Sequence, residues 1–136
     1  MGINKSIEYK NLLHIILEGI FRKKGKEIIE LDLEKIDDTF CRSFIICHAD
    51  SSTQVRAIAE SVQEIVKEEL KTSAWHVEGM ENLHWVLLDY ADIVVHIFQK
   101  PFRDYYNLED LWADAEVKTY EDTGNYINLL KENERT

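Results

Sequence analysis

The chain alternates between segments of helical and of strand-like apolar spacing. Tyr9, Leu12, Leu13, Ile16, Leu17 and Ile20 recur every three or four positions, which places them on one helical face. Ser6 is the expected cap of this helix, Arg22, Lys23 and Lys24 suit its C-terminal dipole, and Gly25 is the expected terminator. Ile28 to Leu33 is rich in β-formers and reads as a strand, Asp37-Asp38 marks a loop, and Ser43 to Cys47 reads as a second strand. Ser51-x-x-Gln54 fits a capping box, after which Val55, Ile58, Ala59, Val62, Ile65, Val66 and Leu70 form another helical face. Ala74 to Val77 is a third strand candidate. Val86 to Leu88 and Ile93 to Phe98 are the last two strands, joined by Asp89 to Asp92 as a hairpin. Their apolar runs barely alternate, which predicts central strands covered on both faces, by the two helices on at least one side. Pro101 stops the last strand, and Leu108, Leu111 and Trp112 fit a short helix. From Glu116 the chain turns polar, with Tyr120, Tyr126, Ile127, Leu129 and Leu130 as anchors of a further helix or a frayed tail.

This order predicts one α/β domain with a mixed β-sheet packed with helices. No internal repeat is visible, and a single Pro and five Gly leave no linker to divide the chain. At 136 residues with 45% apolar composition, the chain is long enough for a real core. The formal net charge of -10 changes the list of partners. Phosphate backbones repel such a chain, so nonspecific nucleic-acid binding is expected to be weak, whereas basic proteins suit it. Cys41 and Cys47 lie in or beside one strand, too far apart along it for a disulfide, and read as reduced, packed thiols of a cytoplasmic protein. No signal peptide is apparent, and the longest apolar runs are far too short to span a membrane.

Candidate chemistry is sparse. Asp32 and Glu34 are two apart and share a face if both lie on a strand, a spacing nucleotidyltransferases use to hold metal. Those enzymes also need a Gly-Ser helix start upstream to cradle triphosphate, but here Gly19 precedes Ile20 and Gly25 precedes Lys26. An exposed strand end is the better reading of the pair. His14, His48, His76, His84 and His96 show no metal-ligand spacing, so neither a metal nor a cofactor is expected. His96, inside an apolar strand, reads as a core histidine with a hydrogen bond. No nucleophile elbow and no P-loop occurs. Arg22-Lys23-Lys24-Gly25-Lys26 is the one basic cluster, a solvated helix end that can also touch phosphate locally.

One stretch is more specific. Trp85-Val86-Leu87-Leu88-Asp89-Tyr90-Ala91-Asp92 runs into Ile93 to Phe98, and Tyr106-Asn107-Leu108-Glu109-Asp110-Leu111-Trp112 follows Pro101. This order resembles the ribosomal silencing factor family, also called RsfS or Iojap. The likeness extends upstream through the element order and covers about the first four-fifths of the chain, several linked motifs being harder to produce by chance than one. Residues 1–115 are thereby read as the silencing-factor domain and 116–136 as a C-terminal extension, helical or flexible. Two departures stand out. Ala91 occupies a position that is usually Gly, so the turn is expected to differ in geometry. His48-Ala49 replaces a common Thr-Gly.

The resemblance implies a nucleotidyltransferase-like topology and a binding protein rather than an enzyme. It implies docking on the large ribosomal subunit through ribosomal protein L-fourteen, which sterically blocks subunit joining and represses translation. The resemblance puts Trp85 and Tyr90 on the partner-binding surface as aromatic anchors; Asp89 and Asp92 flank Tyr90 as acids suited to a basic partner, and Tyr106 and Trp112 are the further partner-binding candidates. A plain core role is the competing reading of Trp85, and a turn-shielding role that of Tyr90. A minor ribosomal RNA contact and a homodimer of the free protein are further partner expectations. A nucleotidyltransferase-like enzyme using Asp32 and Glu34, and a dimeric scaffold without a ribosomal role, are the rival functions.

Overall fold

The structure is a computed structural model that describes residues 2–36 and 41–121, with side chains from Glu8 onward. Its elements, in chain order, are α1 (Gly2–Arg22), β1 (Lys26–Asp32), β2 (Ser43–Ala49), α2 (Ser52–Leu70), β3 (His76–Glu78), β4 (Trp85–Asp89), β5 (Ile93–Gln99), α3 (Lys100–Tyr106), α4 (Leu108–Leu111) and β6 (Glu116–Tyr120). The six strands form one mixed sheet in the order β3-β4-β5-β2-β1-β6. β2 and β5 run parallel at its centre, and every other neighbouring pair is antiparallel.

The helical spacing seen in the sequence becomes one buried layer. Tyr9, Leu13, Ile16, Leu17 and Ile20 of α1 and Val55, Ile58, Ala59, Val62, Ile65 and Val66 of α2 pack together on one face of the sheet. The two helices cross closely at Gly19, where a Cβ would come 2.9 Å from the Val62 backbone. Ser61 donates its hydroxyl to the Gly19 carbonyl at 2.8 Å and closes that contact. β2 and β5 are buried along most of their length, as expected for central strands with both faces covered.

Several local expectations are corrected. α1 begins at Gly2, so Ser6 is an interior helical residue and not its cap. The left-handed residue after this helix is Lys24 (φ 60°), not Gly25. Gly25 is needed for space instead, since a Cβ there would meet Ile20 Cγ2 at 2.4 Å. Ser51 does cap α2 by accepting the Gln54 backbone N–H at 3.2 Å. The Gln54 side chain, however, donates to the Lys23 and Lys24 carbonyls rather than back to Ser51, and so ties the start of α2 to the end of α1. Pro101 both ends β5 and opens α3, because its fixed φ and missing N–H suit a first helical turn. The segment after Ala115 is neither helical nor frayed where it is described. Glu116–Tyr120 adds an edge strand to β1, and the Tyr120 hydroxyl donates to the buried Glu30 carboxylate at 2.7 Å. Tyr126, Ile127, Leu129 and Leu130 lie outside the described residues, as does the Asp37-Asp38 loop.

Candidate protein-docking face

The second face of the sheet is only partly covered. α3 and α4 lie over it, with Leu31, Leu33, Ile46, Phe98, Leu108 and Ala115 buried beneath. Aromatic side chains continue beyond this cover. Trp85 of β4 stacks on Phe98 of β5 at 4.9 Å between ring centroids, and Tyr106 of α3 leans on Trp85 at 4.8 Å. Phe44 of β2 meets His96 edge-on at 4.5 Å, and Trp112, just after α4, meets Phe44 at 5.7 Å. Trp85, Tyr106 and Trp112 are thereby joined into one patch. Trp85 and Trp112 are half-buried, whereas Tyr106 is 47% and the adjacent Tyr105 80% exposed. Leu111 is also exposed beside Trp112.

His96 organises the patch from below. Its Nδ1 accepts the indole N–H of Trp85 at 3.0 Å, so the ring proton resides on Nε2. Burial holds the imidazole neutral and lowers its pKa to about 3. This is the hydrogen-bonded core histidine that the sequence predicts, and it orients the half-buried Trp85 indole.

The α3 helix spans only seven residues, too short to be stable alone, and Arg103 anchors it. The buried guanidinium donates to the Glu27 carbonyl at 2.7 Å and to His48 Nδ1 at 2.8 Å. Burial and the adjacent Arg103 charge hold His48 below its usual pKa, so it remains an acceptor. His48, one of the two departures from the family pattern, therefore helps position α3. On the same helix Phe102 stacks on His84 at 4.1 Å.

The remaining expected site residues lie elsewhere. Tyr90 is 7% exposed and packs in the core with α1 and α2, on the sheet face opposite Trp85. Its hydroxyl is buried without a hydrogen-bond partner among the described residues. Asp89 uses Oδ1 to accept the Ala91 backbone N–H at 2.8 Å, and the Asp92 carbonyl accepts the N–H groups of Arg42 and Ser43. These acids build the turn, about 13 Å along β4 from Trp85 at strand spacing. The sequence reading missed Tyr105 and Leu111, for which the only signal was a Tyr-Tyr pair and an apolar residue in a short polar helix. It also missed the acidic flank, since residues 104–116 contain Asp104, Glu109, Asp110, Asp114 and Glu116 but no Lys or Arg.

Asp32 and Glu34 do not form a strand-borne pair. β1 ends at Asp32, whose Oδ1 accepts the Glu34 backbone N–H at 3.0 Å, and Glu34 reaches Arg42 at 3.6 Å. Among the described residues no group of three or more His, Cys, Asp or Glu is placed to hold a metal ion. Cys41 and Cys47 are free thiols, raised by burial to about 11 and about 12. No described helix is long and apolar enough to cross a membrane.

The chain is thus a one-domain mixed α/β sheet with one face covered by α1 and α2 and an aromatic patch on the other. A family model described as "Ribosomal silencing factor during starvation" matches residues 6–136, and the chain belongs to that family. The ribosomal silencing factor RsfS of Bacillus subtilis is 40% identical over 106 residues, covering 78% of this chain and 88% of that protein. That of Halalkalibacterium halodurans is 38% identical over 109 residues, 78% of this chain and 89% of its own length. The chloroplastic Iojap protein of Arabidopsis thaliana is 36% identical over 74 residues, 54% of this chain and 30% of that one. A crystal structure of a Chromobacterium violaceum protein superposes with a TM-score of 0.72 at 34% identity, covering 85% of this chain and 95% of that one. A Bacillus halodurans crystal structure gives 0.68 at 36% identity, over 82% and 97%.

Proposed function

We propose that this protein represses translation by docking on the large ribosomal subunit through ribosomal protein L-fourteen, which leaves the small subunit no room to join. The observation that carries the docking mode is the Trp85-Tyr106-Trp112 patch beside an acid-only segment. Aromatic anchors with a polar rim supply most of the energy in protein interfaces, and acids around them select a basic partner. Ribosomal proteins are typically basic. The mechanism is steric and needs no chemical step, metal or nucleotide, and the place of action is the cytoplasm. The exposed Lys23 and Lys24 supply a minor contact to ribosomal RNA.

The repositioned site names Trp85, Tyr105, Tyr106, Leu111 and Trp112 as contact residues and assigns Asp89, Tyr90 and Asp92 to the fold. Gradient sedimentation with purified subunits tests the reading. Co-migration with free large subunits, lost in the Tyr105→Ala/Tyr106→Ala variant, is the expected result. Equal association with both subunits, or none with the large one, refutes it.

A further inference from the structure

β3 lies at one border of the sheet, with β4 on its inner side and no described strand on its outer side. Such a border offers backbone N–H and C=O groups to an extended chain, and lysines commonly guard it. The opposite border, β6, carries Lys118, whereas residues 73–99, which hold β3, β4 and β5, contain no Lys or Arg. Apolar surface is open beside β3 as well, with Trp75 84% and Val77 37% exposed. The Trp75 N–H donates to the Asp89 carbonyl at 2.7 Å, so this backbone is held while the indole stays in water.

Val77 pairs with Leu88, which is buried beneath α1 and α2, and residues paired across a ladder share a sheet face. Val77 therefore stands on the α2 side, opposite the Trp85 patch. On that side a groove of about 630 Å³ lies between α2 and Met80 in the turn after β3, lined also by Glu60, Gln63, Glu64 and Lys67. A groove of that size takes side chains and not a lone ion. Glu60 and Glu64 are one helical turn apart and exposed, and no ion pair among the described residues engages either. Glu78 and Glu81 add acids to the same stretch of chain. We propose that the β3 border and the α2 groove form one docking site for an extended basic segment of a second protein. The segment adds a strand to β3, and its residues on the α2 side alternate between apolar and basic. The apolar ones cover Trp75 and Val77, and Lys or Arg reach Glu60 and Glu64. A three-residue strand offers few backbone bonds, so the segment binds weakly and exchanges quickly.

The site leaves the aromatic patch free, so the inference stands apart from the docking reading. Fluorescence anisotropy of a labelled, end-capped peptide of Thr-Val-Thr-Lys repeats tests it, titrated with the whole protein to near-millimolar concentration. Saturable binding is expected. N-methylation of one alternating set of peptide amides should abolish it and of the other set should spare it, since an added strand turns only one set towards β3. Glu60→Lys/Glu64→Lys should weaken binding about tenfold, and Trp75→Ser should weaken it too. Glu8→Lys/Glu69→Lys, the same charge change outside the groove lining, should not. All these side chains are exposed, so the fold is not at stake. No saturable binding, equal effects of the two methylated sets, or indifference to Glu60→Lys/Glu64→Lys overturns the proposal. So does loss of binding in Tyr105→Ala/Tyr106→Ala, which puts the peptide on the aromatic patch, or a second copy of the chain that holds the border in sedimentation and resists the peptide.

Discussion

Ala91 sits at φ 71°, in the left-handed region, although it carries a Cβ. The turn between β4 and β5 therefore keeps a glycine-type geometry where the sequence led us to expect a different one. The surrounding bonds show why. Asp89 Oδ1 holds the Ala91 N–H at 2.8 Å, Tyr90 N–H donates to the Ile93 carbonyl at 2.9 Å, and Asp92 N–H donates to the Tyr90 carbonyl at 3.0 Å. A left-handed L-residue costs about 1–2 kcal/mol. Glycine removes that strain but adds about 0.4–1 kcal/mol of unfolded-chain freedom. The Ala91 methyl is exposed, so its loss removes no packing. Ala91→Gly should then stabilise the protein by roughly 0.5–1 kcal/mol, which for a chain of this size raises Tm by about 2–6 °C. Ala91→Val, β-branched, should lower it by at least as much. Urea unfolding with a fixed slope would supply the free energies, and thermal melts the shifts. An Ala91→Gly protein no more stable than wild type would refute the strain argument.

Tyr106→Ala should weaken binding to isolated ribosomal protein L-fourteen by about 2 kcal/mol, roughly thirtyfold, with an unchanged melt. Tyr90→Ala should lower unfolding stability by about 3 kcal/mol and leave the affinity of the folded fraction intact, because this ring lies in the core; a reversed pattern would restore Tyr90 to the interface. His96 is neutral in the fold with a pKa near 3, against 6.5 unfolded, so protons favour the unfolded chain below that value. Stability should be full above about pH 6.5 and fall towards pH 3 by up to about 1.4 kcal/mol per unit from this group. His96→Leu should show a shallower slope in that window, and an unaltered slope would remove the residue as its source. Arg103→Met strands the Glu27 carbonyl and His48 Nδ1, should cost about 2–4 kcal/mol, and should raise amide exchange in α3 first; exchange rising only with global unfolding would refute an anchoring role.

Periodic features were legible because they depend on nearest neighbours along the chain. The buried faces of α1 and α2 and the β4-β5 hairpin all follow from spacing alone. The errors arise where distant segments decide. Gln54 fits a capping box locally, yet its side chain bonds the Lys23 and Lys24 carbonyls, 31 and 30 residues away. β6 reads as a polar tail until it pairs with β1, where Tyr120 meets Glu30 across 90 residues. The family signature located the patch without resolving it. Trp85 and Tyr90 are neighbours in the motif but five apart, and an odd separation on alternating strand positions puts them on opposite faces. That parity was readable, and it puts Tyr90 on the face covered by α1 and α2.

The two faces of the sheet divide the work of the molecule. α1 and α2 are long, well patterned and fully seated, so their face serves stability. The other face is covered by helices of seven and four residues, too short to be stable alone, with Arg103 anchoring the first. Short cover is what leaves Trp85, Tyr106 and Trp112 available, and the buried His96 bond is what keeps Trp85 from relaxing into the gap. The acids sit on that same short cover, so anchor and charge arrive at a partner together. Exposed acids of this kind act mainly on the rate of encounter and are screened by salt, while the ordered aromatics set how long the complex lasts. On the docking proposed above, a surface with both properties would select a basic protein by contact and by approach, as a repressor needs that must find one site on a particle covered in phosphate while carrying a net charge of -10.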